Sequence, residues 1–156
     1  MMTYARDQAA PPLGGQEGLP LARKSVLIIE DEALIALSVE TCLLDAGAAI
    51  VKIANSIASA QSALDEGIPF DAAIVDLPLA DGNASSLIQV LSEREIPVVI
   101  STGDEIDLEH PALSKAVAII QKPHSDNDLI EAIVEWSVPP HHQGPLRSRA
   151  SRSGKV

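Results

Sequence analysis

The sequence predicts a doubly wound, three-layer α/β fold, and three observations predict it. Five short runs of apolar, mostly β-branched residues alternate with longer stretches of helical period. The runs are apolar throughout instead of alternating with polar residues, which belongs to a parallel sheet buried on both faces. Helix starts and stops, such as Ser56, Ser125 and Gly47, fall at the joints between them. Right-handed crossovers then place helices on both sides of a sheet with the expected order 2-1-3-4-5.

Ser25–Ile29 is the first strand. Asp31–Ala46 follows as a helix, with Leu34, Leu37, Thr41 and Leu44 at helical spacing and Ile35, Val39 and Cys42 broadening its apolar face. Gly47 closes it. Ile50–Ala54 is the second strand. Ser56 caps a helix reaching Glu66, with Ile57, Ala60, Ala63 and Leu64 inward. Asp71–Val75 is the third strand, and 84–94 a helix with Leu87, Ile88 and Leu91 apolar. Pro97–Ile100 is the fourth strand, and a weak helix interrupted by Pro111 spans 106–115. Val117–Ile120 is the fifth strand, and Ser125 caps the final helix, which runs to Trp136. Residues 1–23, with Pro11-Pro12, Gly14-Gly15 and Pro20, read as a disordered extension, and 138–156, opening on Pro139-Pro140, as a disordered tail. One domain is thus expected at 24–137.

Composition narrows the function classes. The net charge is −11, and it is uneven: residues 24–137 hold 20 acidic and five basic side chains, whereas 138–156 hold four basic and none acidic. An acidic globule repels nucleic-acid phosphates and suits a cation and a basic protein partner. The basic tail reads as solvated. No apolar run approaches the roughly 18 residues of a membrane span, and Met1–Ala10 has no apolar stretch resembling a signal peptide. The expectation is cytoplasmic residence without a membrane. Cys42, the lone cysteine, permits no internal disulfide and reads as a core residue.

In a sheet of this order ligands bind beyond the carboxyl ends of the strands, near the switch in strand order. There the first strand runs into Glu30-Asp31-Glu32, the third into Asp76, the fourth into Ser101-Thr102 and the fifth into Gln121-Lys122-Pro123. Each residue has a plain structural reading. Asp31 alone would be a helix cap, Glu32 a partner for the helix dipole, Asp76 a turn opener, and Lys122 a surface lysine. Four matching strand ends in one sequence favour the shared reading. Three carboxylates brought together demand a counter-charge. Hard oxygen donors suit Mg²⁺, Lys122 supplies a mobile cation, and Thr102 a hydroxyl donor. This set is suited to phosphoryl transfer onto a carboxylate, Asp76.

At Leu27–Glu32, Ile74–Leu77, Pro97–Gly103 and Gln121–Pro123 the chain resembles the receiver domain of bacterial two-component response regulators, over about residues 24–137. The short loop Asp76–Gly82 is similar to that of stand-alone receivers from alphaproteobacteria. The resemblance implies a flavodoxin-like fold and a cytoplasmic phosphoacceptor that is not an enzyme in the ordinary sense. Asp76 would take phosphate from a sensor histidine kinase or a histidine phosphotransferase. Glu30, Asp31, Asp76 and the backbone carbonyl of Pro78 would hold Mg²⁺, while Thr102 and Lys122 would meet the phosphoryl group. Output would run to an unknown downstream protein, or to a homodimer, through the face of the helix at 106–115, the fifth strand and the final helix.

The chain departs from that pattern at three places. Pro78 keeps its carbonyl but has no N–H. Ile119 stands where the family usually has an aromatic switch residue, and His124 where it has Phe; the histidine reads as a loop residue rather than a ligand. A phosphorylation-independent interaction module with the same fold is the alternative reading. A phosphatase ranks last, because Pro78 stands where a second acid is needed.

Overall fold

In a computed structural model of the chain, residues 18–77, 84–103, 114–137 and 147–149 are described. Strands β1 (Ser25–Ile29), β2 (Ile50–Ala54), β3 (Ala72–Leu77), β4 (Val98–Thr102), β5 (Ala118–Gln121) and β6 (Arg147–Arg149) form one sheet. Their order is β2-β1-β3-β4-β5-β6, and every neighbouring pair is parallel. Helices α1 (Ala33–Asp45), α2 (Ile57–Asp65), α3 (Ser85–Glu93) and α4 (Asp126–Trp136) cover the two faces. The expected order 2-1-3-4-5 is the one observed for the first five strands. The helix expected at 106–115 lies, but for Ser114 and Lys115, outside the described residues.

Side chains alternate across the sheet, so each strand serves two cores. Leu27 and Ile29 of β1 pack with Ala73, Val75 and Ile100 under α2 and α3. Val26 and Ile28 pack with Ile74, Val99 and Ile120 under α1 and α4. This double burial is why the strands are apolar without alternation. α3 buries Leu87, Ile88 and Leu91, and α4 buries Leu129, Ala132 and Ile133. Ser56 and Ser125 cap α2 and α4 as expected, each in a reciprocal box with Ser59 or Asp128. Cys42 is buried against α4, its Sγ 4.0 Å from the Asp126 carbonyl. Burial and the nearby Asp126 and Asp45 push the thiol up to about 11, so it stays protonated and inert.

Three expectations are corrected. Residues 18–23 are not structureless. Leu21 is fully buried, and its N–H donates to the Ala46 carbonyl at 2.9 Å. Two leucines, Leu19 and Leu21, among Pro and Gly are too few to carry a period, so only the docking of Leu21 beside α1 shows it as core. The tail is not structureless throughout either, because 147–149 pair with Ala118–Ile120. Three residues lie below the length at which strand pattern is readable. Finally, the apolar surface of α1 is two faces rather than one. Ala36, Cys42 and Leu43 are buried, while Leu34, Leu37 and Leu44 are 83%, 51% and 46% exposed. A helix apolar nearly all round does not tell which side the sheet takes.

Gly47 shows how tightly the N-terminal segment is seated. Its φ is +99°, and a Cβ there would lie 2.7 Å from Leu19 Cβ. Gly47→Ala is expected to cost about 1–3 kcal/mol through strain and this clash. Thermal melts read the cost directly, and an unchanged midpoint would contradict the seating of Leu19 against Gly47.

Candidate functional site

The parallel register brings the strand ends to one rim. Ile29 is level with Val75, Asp76 with Ser101, and Thr102 with Gln121. Glu30 therefore leaves β1 beside Asp76, and the Lys122 N–H is carried in by its 2.7 Å bond to the Thr102 carbonyl. Glu30, Asp76, Ser101 and Thr102 are buried although polar. A buried polar group at a strand terminus needs a partner or a ligand.

One carboxylate oxygen from each of Glu30, Asp31 and Asp76 lies within 4.8 Å of the other two. Lys122 Nζ is 2.5 Å from Asp76 Oδ1 and 3.8 Å from Glu30 Oε2. Glu30 is further oriented by the Glu32 N–H, which donates to its Oε1 at 3.0 Å. Glu32 occupies the N-cap position of α1 without a side-chain capping bond, so Asp31 is not the cap of that helix. The Lys122 ammonium and the buried Asp76 carboxylate form a close charge pair at the rim.

Electrostatics follow from burial first and from the neighbouring charges second. Burial, foremost, pushes the Glu30 carboxyl up to about 7, and Asp76 adds to the rise through a hydrogen bond and its charge. The Glu32 N–H and the Lys122 charge oppose it. For Lys122 burial is the strongest single influence and favours loss of the proton. Asp76, Glu30 and Glu32 together outweigh it, so the ammonium is held above its ordinary value.

The structure gathers Glu30, Asp31, Asp76 and Lys122. Thr102 is buried one residue beyond Ser101 on β4. Pro78 lies outside the described residues. Sequence reasoning did not connect Ser101 with His124, whose Nε2 is 3.1 Å from Ser101 Oγ. Both line a pocket between the sheet, α1 and α4 with apolar walls such as Val39 and Leu129, and Asp76 and Lys122 line it too. The signal was the register that sets Ser101 opposite Asp76, which pairing alone reveals.

A doubly wound parallel sheet with an acidic trio and a lysine at its carboxyl rim defines a class of phosphoacceptor-like signalling domains. The response regulator receiver domain family matches residues 26–134, and the chain belongs to that family. It is 29% identical over 158 residues to the sensor histidine kinase GacS of Pseudomonas protegens, covering 95% of this chain and 17% of that kinase. The chain thus spans about a sixth of the length of this relative. A receiver domain protein from Methanospirillum hungatei JF-1 is 29% identical, with a TM-score of 0.66 over 74% of this chain and 94% of that one. A response regulator from Burkholderia pseudomallei, solved with a phosphorylated aspartic acid, a calcium ion and citrate, is 25% identical, with a TM-score of 0.63 over 70% of this chain and 66% of that one. Among the described residues no helix is long and apolar enough to cross a membrane.

Proposed function

We propose that this receiver domain accepts a phosphoryl group on Asp76, with Mg²⁺ held by Glu30, Asp31 and Asp76, and passes the signal on by protein–protein contact. The observation that carries the reading is the Asp76–Lys122 pair set within the carboxylate trio. The donor set fits a hard divalent ion: three carboxylates, one with its proton affinity raised by burial and, less strongly, by Asp76 beside it. A bound ion supplies charge neutralisation for phosphoryl oxygens. The phosphorylated aspartic acid and calcium ion of the Burkholderia protein support the same assignment here.

The chain's own residues do the following. A carboxylate oxygen of Asp76 attacks the phosphorus of a phosphohistidine. The new O–P bond forms as the P–N bond breaks, and its electron pair returns to the imidazole. Lys122 shifts from the Asp76 carboxylate to a phosphoryl oxygen, exchanging one anion for another at little cost. The Thr102 hydroxyl donates to a second phosphoryl oxygen. The donor is a sensor histidine kinase or a histidine phosphotransferase, in keeping with the GacS similarity. No second substrate is turned over, so the protein acts as a phosphoacceptor and not as an enzyme on other molecules. Ile119 is buried at 6% exposure in the core under α3, so the output does not run through an aromatic side chain at that place.

Incubation with a small phosphodonor and Mg²⁺ should add one phosphoryl group by intact mass, and EDTA should prevent it. A wild-type protein that stays unmodified under both conditions would favour the phosphorylation-independent interaction module instead.

A further inference from the structure

Ser101 and His124 lie at the same rim, and the phosphoryl transfer proposed for Asp76 uses neither. Ser101 is 5% exposed, and a hydroxyl so buried needs a partner. It stands two residues after Val99, so its side chain leaves the sheet on the side of α1 and α4. Asp76, two residues after Ile74 and level with Ser101, leaves it on that side too. His124 Nε2 meets the Ser101 Oγ at 3.1 Å, and the other ring nitrogen, Nδ1, is 3.4 Å from the Ser125 carbonyl oxygen. A carbonyl only accepts, so the neutral ring carries its proton on Nδ1 and the Ser101 hydroxyl donates to Nε2.

We infer that this bond makes His124 a positioning residue: it ties the loop that carries Lys122 to β4, and so sets where the ammonium meets Asp76. The loop from β5 to α4 is held by its backbone at both ends. The Lys122 N–H donates to the Thr102 carbonyl at 2.7 Å, and Ser125 is fixed to α4 by its reciprocal box with Asp128. Between them Pro123 has no N–H to give. The bond from Ser101 to the His124 ring anchors the middle of the loop through a side chain. His124 lines the same pocket as Lys122, Ser101 and Asp76, so a ring seated on Ser101 bounds the space open to the lysine side chain. A lysine stem is long and flexible, and it keeps one geometry only where its surroundings restrict it. For its effect on rate this role rests on the proposed phosphoacceptor Asp76, whereas the seating of Lys122 does not.

Two readouts on the full chain test it. The first involves no phosphate: acylation of Lys122 by a water-soluble N-hydroxysuccinimide ester, followed by peptide mass spectrometry with Lys52 as the internal reference. An ammonium paired with Asp76 and held above its ordinary value reacts slowly. Ser101→Ala and His124→Leu should each speed acylation of Lys122 about fivefold, the size of one lost hydrogen bond. The double variant should add nothing further, because both changes break the same bond. His124→Gln, whose amide reaches the place of Nε2, should restore the slow rate, and the shorter His124→Asn should not. Ser101→Ala leaves no buried hydroxyl unpaired, so it keeps the test open if His124→Leu fails to fold. The second readout is phosphoryl uptake from a small phosphodonor with Mg²⁺. The same variants should lower the maximal rate about tenfold with little change in the half-saturating donor concentration, because a misplaced Lys122 serves the transition state less well. Unchanged acylation in Ser101→Ala, or single effects that sum in the double variant, would overturn the inference. So would full-rate uptake by folded variants of a wild type that is itself phosphorylated. A wild type that takes up no phosphate while Lys122 responds as expected would instead overturn the proposed function and uphold the seating of Lys122.

Discussion

Asp76→Asn is expected to lose phosphoryl uptake by at least about three orders of magnitude while the protein remains folded. The amide keeps the volume of the carboxylate but lacks its charge and nucleophilicity, and removing a covalent nucleophile typically has effects of this size or larger. The two neighbouring carboxylates do not substitute for it. Glu30 is buried, bonded to the Glu32 N–H, and held toward its protonated form, all of which reduce its nucleophilicity. Lys122 keeps a partner in the variant, because Glu30 Oε2 is within 3.8 Å. The fold therefore does not acquire an unpaired buried charge of the kind that costs several kcal/mol. Intact-mass measurement after incubation with phosphodonor and Mg²⁺ is the readout, with circular dichroism to verify folding. Retained uptake in a folded Asp76→Asn protein would place the acceptor elsewhere and remove the basis of the proposed function.

The second large effect is a pH dependence that Mg²⁺ reverses. Glu30 holds its proton more tightly in the folded chain than in the unfolded one, at about 7 against 4.5. The folded state therefore binds the extra proton, and the stability linked to it is fully present below pH 4.5 and lost as pH rises through 7. In EDTA, chemical denaturation between pH 5 and 8 should show wild type losing on the order of 2 kcal/mol relative to Glu30→Gln. Lys122 does not titrate in this window, since its ammonium is held above its ordinary value. A divalent ion competes with that proton, so Mg²⁺ should bind more tightly at pH 8 than at pH 6 and flatten the wild-type profile. Parallel profiles for wild type and Glu30→Gln in EDTA would show that burial at the rim does not raise Glu30.

Much of this was readable before any coordinates. Strands without polar alternation, such as Leu27–Ile29 and Ala73–Val75, announce burial on both faces, and the packing of Leu27 and Ile28 into opposite cores is that burial. Capping serines marked α2 and α4, because a hydroxyl at a helix start has a local geometric cause. The acidic trio and Lys122 were nameable from strand ends, since a parallel sheet sends all its carboxyl ends to one rim.

The chain's own residues thus determined the layers, the order of the first five strands and the rim where the candidate site lies, all properties of local period and of the handedness of the crossovers. Tertiary structure alone decided which side of α1 meets the sheet, that Leu21 plugs the core, that Ser101 meets His124, and that 147–149 extend the sheet beside β5. Each of these is a contact between residues far apart in the chain or too few to carry a period. Their free energy depends on what lies opposite, and only the packed fold supplies that neighbour.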